Sequence, residues 1–199
     1  GIDNGVEEFS GDNLTRNYDV TTTLSSRVSR LNPRWNEPSS PEFANANFAR
    51  AVLLTGTEFF DALDNVVASW LPARSVVEAG FAHAKSVHSS GGIALFDQGG
   101  CPWKDHLTDI EKIHNQEGRT LYVVYPDAKS GWRVQCVPQD NSSFANRKSL
   151  PWRGLRDQQL EDACGVNGAT FVHVTGFIGG CTSKDGAIAL AIKAIEFNE

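Results

Sequence analysis

The first 23 positions are mostly polar, and the pattern predicts an irregular lead-in. Residues 24–31 read as a short helical stretch, followed by Asn32-Pro-Arg-Trp35 and a turn-rich linker to Ser40. Ser39 and Glu42 have capping-box spacing, and Pro41 suits a first helical turn. A helix is therefore predicted from there to about residue 69. Val52, Phe59, Leu63, Val66 and Trp70 recur along it at three-to-seven-residue steps, which gives one apolar face. Its length would be roughly 44 Å. Pro72 is expected to kink or end it, with a second helix over 73–89.

Beyond residue 90 the pattern changes to alternating strands and helices. Residues 92–97 read as a strand and 102–116 as a helix. Strands at 120–125 and 132–138 flank Pro126-Asp-Ala-Lys-Ser-Gly131, a hairpin-like turn. Residues 156–164 read as a short helix stopped by Gly165. Residues 169–175 form a strand pattern that runs into a glycine-rich loop, 176–180, and then the apolar helix 187–197. The predicted fold is α/β (α+β): a mixed β-sheet with packed helices, preceded by a long helical segment. Residues 1–40 are read as a lead-in and 41–199 as one domain that includes the long helices.

Composition adds limits. At 199 residues, the chain is long enough to bury a real core. No apolar run approaches the roughly 20 residues of a membrane span. The chain holds no methionine and opens with Gly1-Ile-Asp-Asn-Gly5, so a fragment is expected, with an engineered start on an intact protein as the alternative. Its four cysteines are widely spaced and contain no C-x-x-C pair, which argues against a zinc ribbon or a thioredoxin-type site. Reduced thiols in an intracellular protein are expected. The net charge of −6 argues against charge-driven coating of nucleic acid. However, 141–156 contains no acid while Arg147, Lys148, Arg153 and Arg156 are all present, a local basic loop in an acidic chain.

The strand–glycine–helix corner is the strongest functional signal. Unpaired N–H groups at a helix N-terminus favour phosphate or carboxylate. Gly176, Gly179 and Gly180 would let a ligand approach the backbone, and Thr182 or Ser183 could cap the helix. The sequence is neither a P-loop, since Asp185 follows Lys184, nor G-x-G-x-x-G, and a tight turn with no ligand stays open. In the basic loop, Arg153 and Arg156 suit phosphate oxygens and Trp152 could stack on a base. A solvated loop pinned by a buried Trp152 is the plainer reading. His173 sits mid-strand on the face of Phe171 and Thr175, either as a satisfied core residue or as a donor to the anion. His83 and His88 do not share a helix face, and no acid is arranged with His106 and His114. Glu58, Asp61 and Asp64 read as a solvated helix face.

Several separated motifs carry a resemblance. They are Ser69-Trp-Leu-Pro-Ala-Arg74, Cys101-Pro-Trp-Lys-Asp-His106, Trp132-Arg-Val-Gln135, Pro151-Trp-Arg-Gly-Leu-Arg156 and Phe171-Val-His-Val-Thr-Gly-Phe-Ile-Gly-Gly180. Leu24-Ser-Ser-Arg-Val28 fits too. Together they resemble the melanocyte-proliferating-gene (MYG) family, from Asp3 to the end of the chain. The resemblance implies the DHH phosphoesterase superfamily and 3′–5′ exonuclease action on RNA in nucleus and mitochondria. An older description of the family is a metal-dependent protein hydrolase. It implies an N-terminal domain bearing divalent metal (Mn or Mg), absent here because the chain contains no Asp-His-His. No cofactor is then expected in this fragment. Asp3-Asn-Gly5 is similar to the superfamily's last carboxylate motif, usually Asp-Thr-Gly, which makes Asp3 an orphaned metal ligand; Asn4 departs from that motif. The resemblance assigns substrate phosphate to Gly179 and Gly180 and nucleotide contacts to Arg153, Arg156 and His173; Arg27, Trp152 and Gly176 are further candidate substrate or phosphate contacts. The superfamily turn commonly has a histidine after its glycines, where this chain has Cys181.

The leading expectation is the substrate-binding half of a metal-dependent RNA exonuclease, inactive alone and completed by its missing N-terminal domain. The alternatives are a non-catalytic interaction or dimerisation module acting as a homodimer, and a domain binding a small nucleotide.

Overall fold

The computed structural model describes residues 8–10, 15–140 and 145–197. The chain divides into two compact units, Gly1–Val67 and Ala68–Glu199. In the first, β1 (Phe9–Ser10) pairs antiparallel with β2 (Thr15–Arg16) within the predicted lead-in. Helix α1 (Leu24–Ser29) is capped by Thr23, whose hydroxyl accepts from the Ser26 N–H. Helix α2 (Pro41–Asn65) has Ser40 as its cap, one residue later than the spacing suggested, with the Phe43 N–H donating to its hydroxyl. Arg27 pairs with Glu58 at 2.8 Å, tying α1 to α2.

Helical backbone continues through Val66–Trp70 as a π turn and into α3 (Leu71–Val87). Pro72 therefore does not end the helix. It sits in the first turn of α3, where its missing N–H costs little, and the wider π turn precedes it.

The second unit holds a five-stranded mixed sheet in the order β3-β4-β5-β7-β6. Its strands are β3 (Ile93–Leu95), β4 (Tyr122–Pro126), β5 (Trp132–Cys136), β6 (Ala169–Val172) and β7 (Ile178–Cys181). Among the described residues, only the β3–β4 pair is parallel. The helices are α3, α4 (Lys104–Ile113), α5 (Asp157–Cys164) and α6 (Lys184–Glu196). Gly165 ends α5 in the left-handed conformation at φ 64°, as its position predicts.

One predicted element is corrected. The stretch 176–180 is not a loop feeding a helix. The strand stops at Val172, the chain turns at Gly176 with φ 72°, and Gly179 and Gly180 lie inside β7 between β5 and β6. Glycine is weak in strands, but here close packing on both faces admits nothing larger. A Cβ on Gly179 would lie 3.0 Å from Leu150 and 3.4 Å from Leu190, on the core side. Cys181 and Thr182 then separate the glycines from α6. That helix is capped by Ser183, whose hydroxyl accepts from the Gly186 N–H at 3.1 Å.

Two cores flank the sheet. One face packs Tyr122, Val124, Val134, Cys136 and Cys181 against Leu160 of α5 and Leu190 of α6. The other packs Ala94, Phe96 and Val123 against Val77 and Phe81 of α3 and Leu107 and Ile110 of α4. This second core includes no residue of β5, β6 or β7. The sheet thus has helices on both faces at the β3–β4 end and on one face at the β5–β7–β6 end.

The basic loop is also redistributed. Arg147 pairs with the buried Glu111 at 2.8 Å, and the Glu111 carboxylate also accepts from the Thr120 and Gly118 N–H groups. Lys148 donates to the carbonyls of Ile195 and Phe197 near the end of α6. Both cations are structural, and only Arg153 and Arg156 of the four remain outward. All four cysteines are free. Among the described residues, no helix is long and apolar enough to cross a membrane.

Candidate functional site

The open end of the sheet carries one row of side chains. Strand alternation turns Val134 and Cys136 into the core and Arg133 to the opposite face. In the register, Arg133 stands opposite Gly180, and Gly180 opposite Phe171. Phe171 is bridged in turn to Arg156, in the extended residue before α5. The row therefore reads Arg133, Gly180, Phe171, Arg156 across four neighbouring segments. The two guanidinium groups lie 5.2 and 5.7 Å from the centre of the Phe171 ring. That is within cation–π range and holds both forks near one surface.

Gly180 makes the arrangement possible. A Cβ there would lie 2.5 Å from Arg133 Nη1, 2.6 Å from Phe171 Cε1 and 2.8 Å from Thr170 Oγ1. The missing side chain lets arginine and ring meet over bare backbone. Asp127 holds Arg133 from its other side in an ion pair. The Asp127 carboxylate also accepts from the Gly131 N–H at 2.8 Å and the Lys129 N–H at 2.7 Å. These backbone donors chiefly, with Arg133 added, hold its carboxyl below the usual carboxylate range. Asp127 therefore stays charged and fixes Arg133 in place.

A depression of about 330 Å³ lies here, lined among others by Lys129, Arg133, Thr170, Phe171 and Thr182. Its charged lining is two cations against Asp127, with Arg156 across the same ring. A depression of about 440 Å³ between the start of α3 and residues 98–102 has no charged lining residue. One of about 660 Å³ beside Glu111 has three acids against two bases. Charge therefore selects the sheet row as the place for an anion.

The other expected residues fall in different places. Arg153, His173 and Gly176 come together at the β6–β7 turn. The Leu150 N–H donates to the Gly176 carbonyl at 2.9 Å, and a Cβ on Gly176 would lie 3.0 Å from Arg153 Nε. His173 is exposed; its Nδ1 accepts from the Thr175 N–H at 3.2 Å, which leaves Nε2 to carry the proton of the neutral ring. Trp152 is only 8% exposed, and its ring packs in the core edge-to-face with Phe197, with little face to offer a base. Gly179 faces the same core. Arg27 belongs to the first unit and is paired with Glu58. Asp3 lies outside the described residues.

Arg133, Phe171 and Asp127 were missed as site residues. The alternation of Arg133 between Trp132 and Val134 is a signal in the sequence, but its partners depend on Gly180 lying in a strand. Among the described residues, no three His, Cys, Asp or Glu side chains converge to hold a metal ion.

Comparison with known proteins places the chain. The MYG1 exonuclease family model, described as an uncharacterised protein family (UPF0160), matches residues 1–195. The MYG1 exonuclease of Bos taurus is 44% identical over 192 residues, 96% of this chain and 49% of that protein. The MYG1 exonuclease of Homo sapiens is 43% identical over 192 residues, covering 96% and 50%. The MYG1 protein of Dictyostelium discoideum is 42% identical over 197 residues, covering 98% and 59%. The chain spans about half the length of the curated relatives it matches. No solved structure gives a significant match.

Proposed function

This chain belongs to the MYG1 exonuclease family, and from that premise we propose that it is the substrate-holding part of a nuclease acting on RNA. The observation that supports this is the row Arg133–Gly180–Phe171–Arg156 on the open face of the sheet. Arginine forks match phosphate oxygens, and the bare backbone of Gly180 lets Arg133 and the Phe171 ring close over it so that both forks stand on one surface. Arg153 and His173 at the β6–β7 turn offer further donors outside the row. In this reading, the chain neutralises phosphate charge and fixes the position of an RNA end.

Among the described residues, no three His, Cys, Asp or Glu side chains are grouped to bind a metal ion. The DHH-type division of labour places the divalent metal and the hydrolytic chemistry elsewhere in the parent protein. A lone chain would then bind RNA without cleaving it.

The test is fluorescence-anisotropy titration of a short RNA with the wild-type chain and with Arg133→Ala and Arg156→Ala. Each loss of a charge-assisted hydrogen bond is expected to cost about 1–3 kcal/mol of affinity, roughly fivefold to more than a hundredfold. A mononucleotide titrated in parallel separates RNA from a small-nucleotide ligand, because several contacted phosphates gain affinity with length. Unchanged RNA affinity in both variants would remove the row from the account.

A further inference from the structure

The described residues of the first unit form no buried apolar core. Among them, no hydrophobic side chain is buried, and Asn47 is the one buried residue. In the second unit, by contrast, two clusters of fully buried side chains flank the sheet. Yet the first unit is not poor in apolar residues. Along α2, Phe48, Val52, Leu53, Phe59, Phe60 and Leu63 are each between 46% and 70% exposed.

At about 100° per residue, these six fall within an arc of roughly 140° on one side of the helix. Arg50, Glu58, Asp61 and Asp64 all lie outside that arc. The opposite side faces α1, where Glu58 meets Arg27 and where Asn47 and Ala51 are less exposed. Gly56 sits near the middle of the apolar stripe, and a Cβ there would meet nothing within 4 Å. The stripe is thus uncharged, flat at its centre and roughly 22 Å long.

Six such side chains leave roughly 600–700 Å² of apolar surface open, above the few hundred Å² that a monomer ordinarily shows in one patch. That area approaches the roughly 800 Å² per partner of a stable interface. Two observations choose the occupant. A unit without a buried apolar side chain needs a covering body, not only a second helix, since Phe9, Leu24 and Trp35 are exposed as well. The relatives are about twice as long as this chain.

Resting on the reading above, that catalysis lies beyond this chain, we propose that the apolar face of α2 is the seat of the remaining part of the same parent protein. That part presents an uncharged, apolar surface to Phe48, Val52, Phe59 and Leu63. The two pieces together form the core that the described residues of the first unit lack.

The test is thiol labelling of Phe59→Cys, placed both in this chain and in the protein expressed from the full reading frame. Masses are taken by light scattering, and labelled peptides are resolved so that Cys101 is counted separately. Thr57→Cys, on a different side of α2, is the control. The expected result is fast labelling of Phe59→Cys in this chain and about tenfold or slower labelling in the full protein. Thr57→Cys labels equally in both.

Equal labelling of Phe59→Cys in the two proteins overturns the proposal. So does protection in this chain alone together with a doubled mass, which would assign the face to a second copy. So does equal protection at Thr57→Cys, or a reading frame with nothing beyond these residues. None of these readouts involves RNA, so a failure of the phosphate reading in the Arg133 and Arg156 variants stays distinguishable.

Discussion

At the scale of single residues, two glycines of one turn-and-strand segment have different tasks. Gly176 is needed for the backbone itself. Its φ is 72°, and a Cβ would lie 2.7 Å from the Leu150 carbonyl oxygen, which is main chain and cannot swing away. Gly176→Ala is therefore expected to destabilise the fold by about 2 kcal/mol, read from the midpoint of chemical denaturation. Gly180 instead leaves room for the side chains of Arg133 and Phe171, so its value lies in the site. The thiols carry a pH prediction. Burial pushes Cys136 and Cys181 from about 9 up to about 12. The folded chain then keeps these protons while the unfolded chain loses them. Stability from this source is complete below about pH 9 and falls above it, by about 1.4 kcal/mol per pH unit for each thiol. Urea melts from about pH 8 to 10 should show the decline, and replacing both cysteines with alanine should flatten it.

At the scale of elements, α6 offers a direct test. Its entry is held by the Ser183 hydroxyl accepting from Gly186. Ser183→Ala should cost about 1 kcal/mol in a thermal or denaturant melt, with RNA binding retained. This cap was legible in the sequence, as were α5 with its Gly165 stop, the strands of the central hairpin and the long helix. Those elements announce themselves through local spacing. What could not be read locally is β7. Two adjacent glycines argue for a loop, and only the neighbours on either face, Leu150 and Leu190 on one and Arg133 and Phe171 on the other, explain why a strand needs them. The site was hidden for the same reason. Gly180 and Arg156 were marked as candidates, but their partners Arg133 and Phe171 become visible only when three strands are in register. Trp152 was legible as a buried anchor as readily as a stacking surface, and its place in the core follows from its large apolar ring beside Phe197. Arg147 and Lys148 looked like part of one basic loop because their acceptors, Glu111 and the end of α6, are far away in sequence.

At the scale of the whole molecule, the proposed function asks an acidic chain of net charge −6 to hold a polyanion. Long-range attraction does not help it, so affinity has to come from cations arranged at short range. The row on the open sheet supplies that arrangement, with Asp127 keeping Arg133 oriented. The second core stops at β4, and this leaves the face free of covering helices. In the proposed reading, this uncovered part of one sheet face is the site and RNA is its substrate. The most direct measurement is the dependence of RNA affinity on salt, for the wild-type chain and for the double variant Arg133→Ala/Arg156→Ala. If both arginines displace counterions from a single strand, the wild-type plot of log affinity against log salt should be steeper by about 1.4. Parallel plots with equal affinities would contradict the claim that this face holds the phosphates.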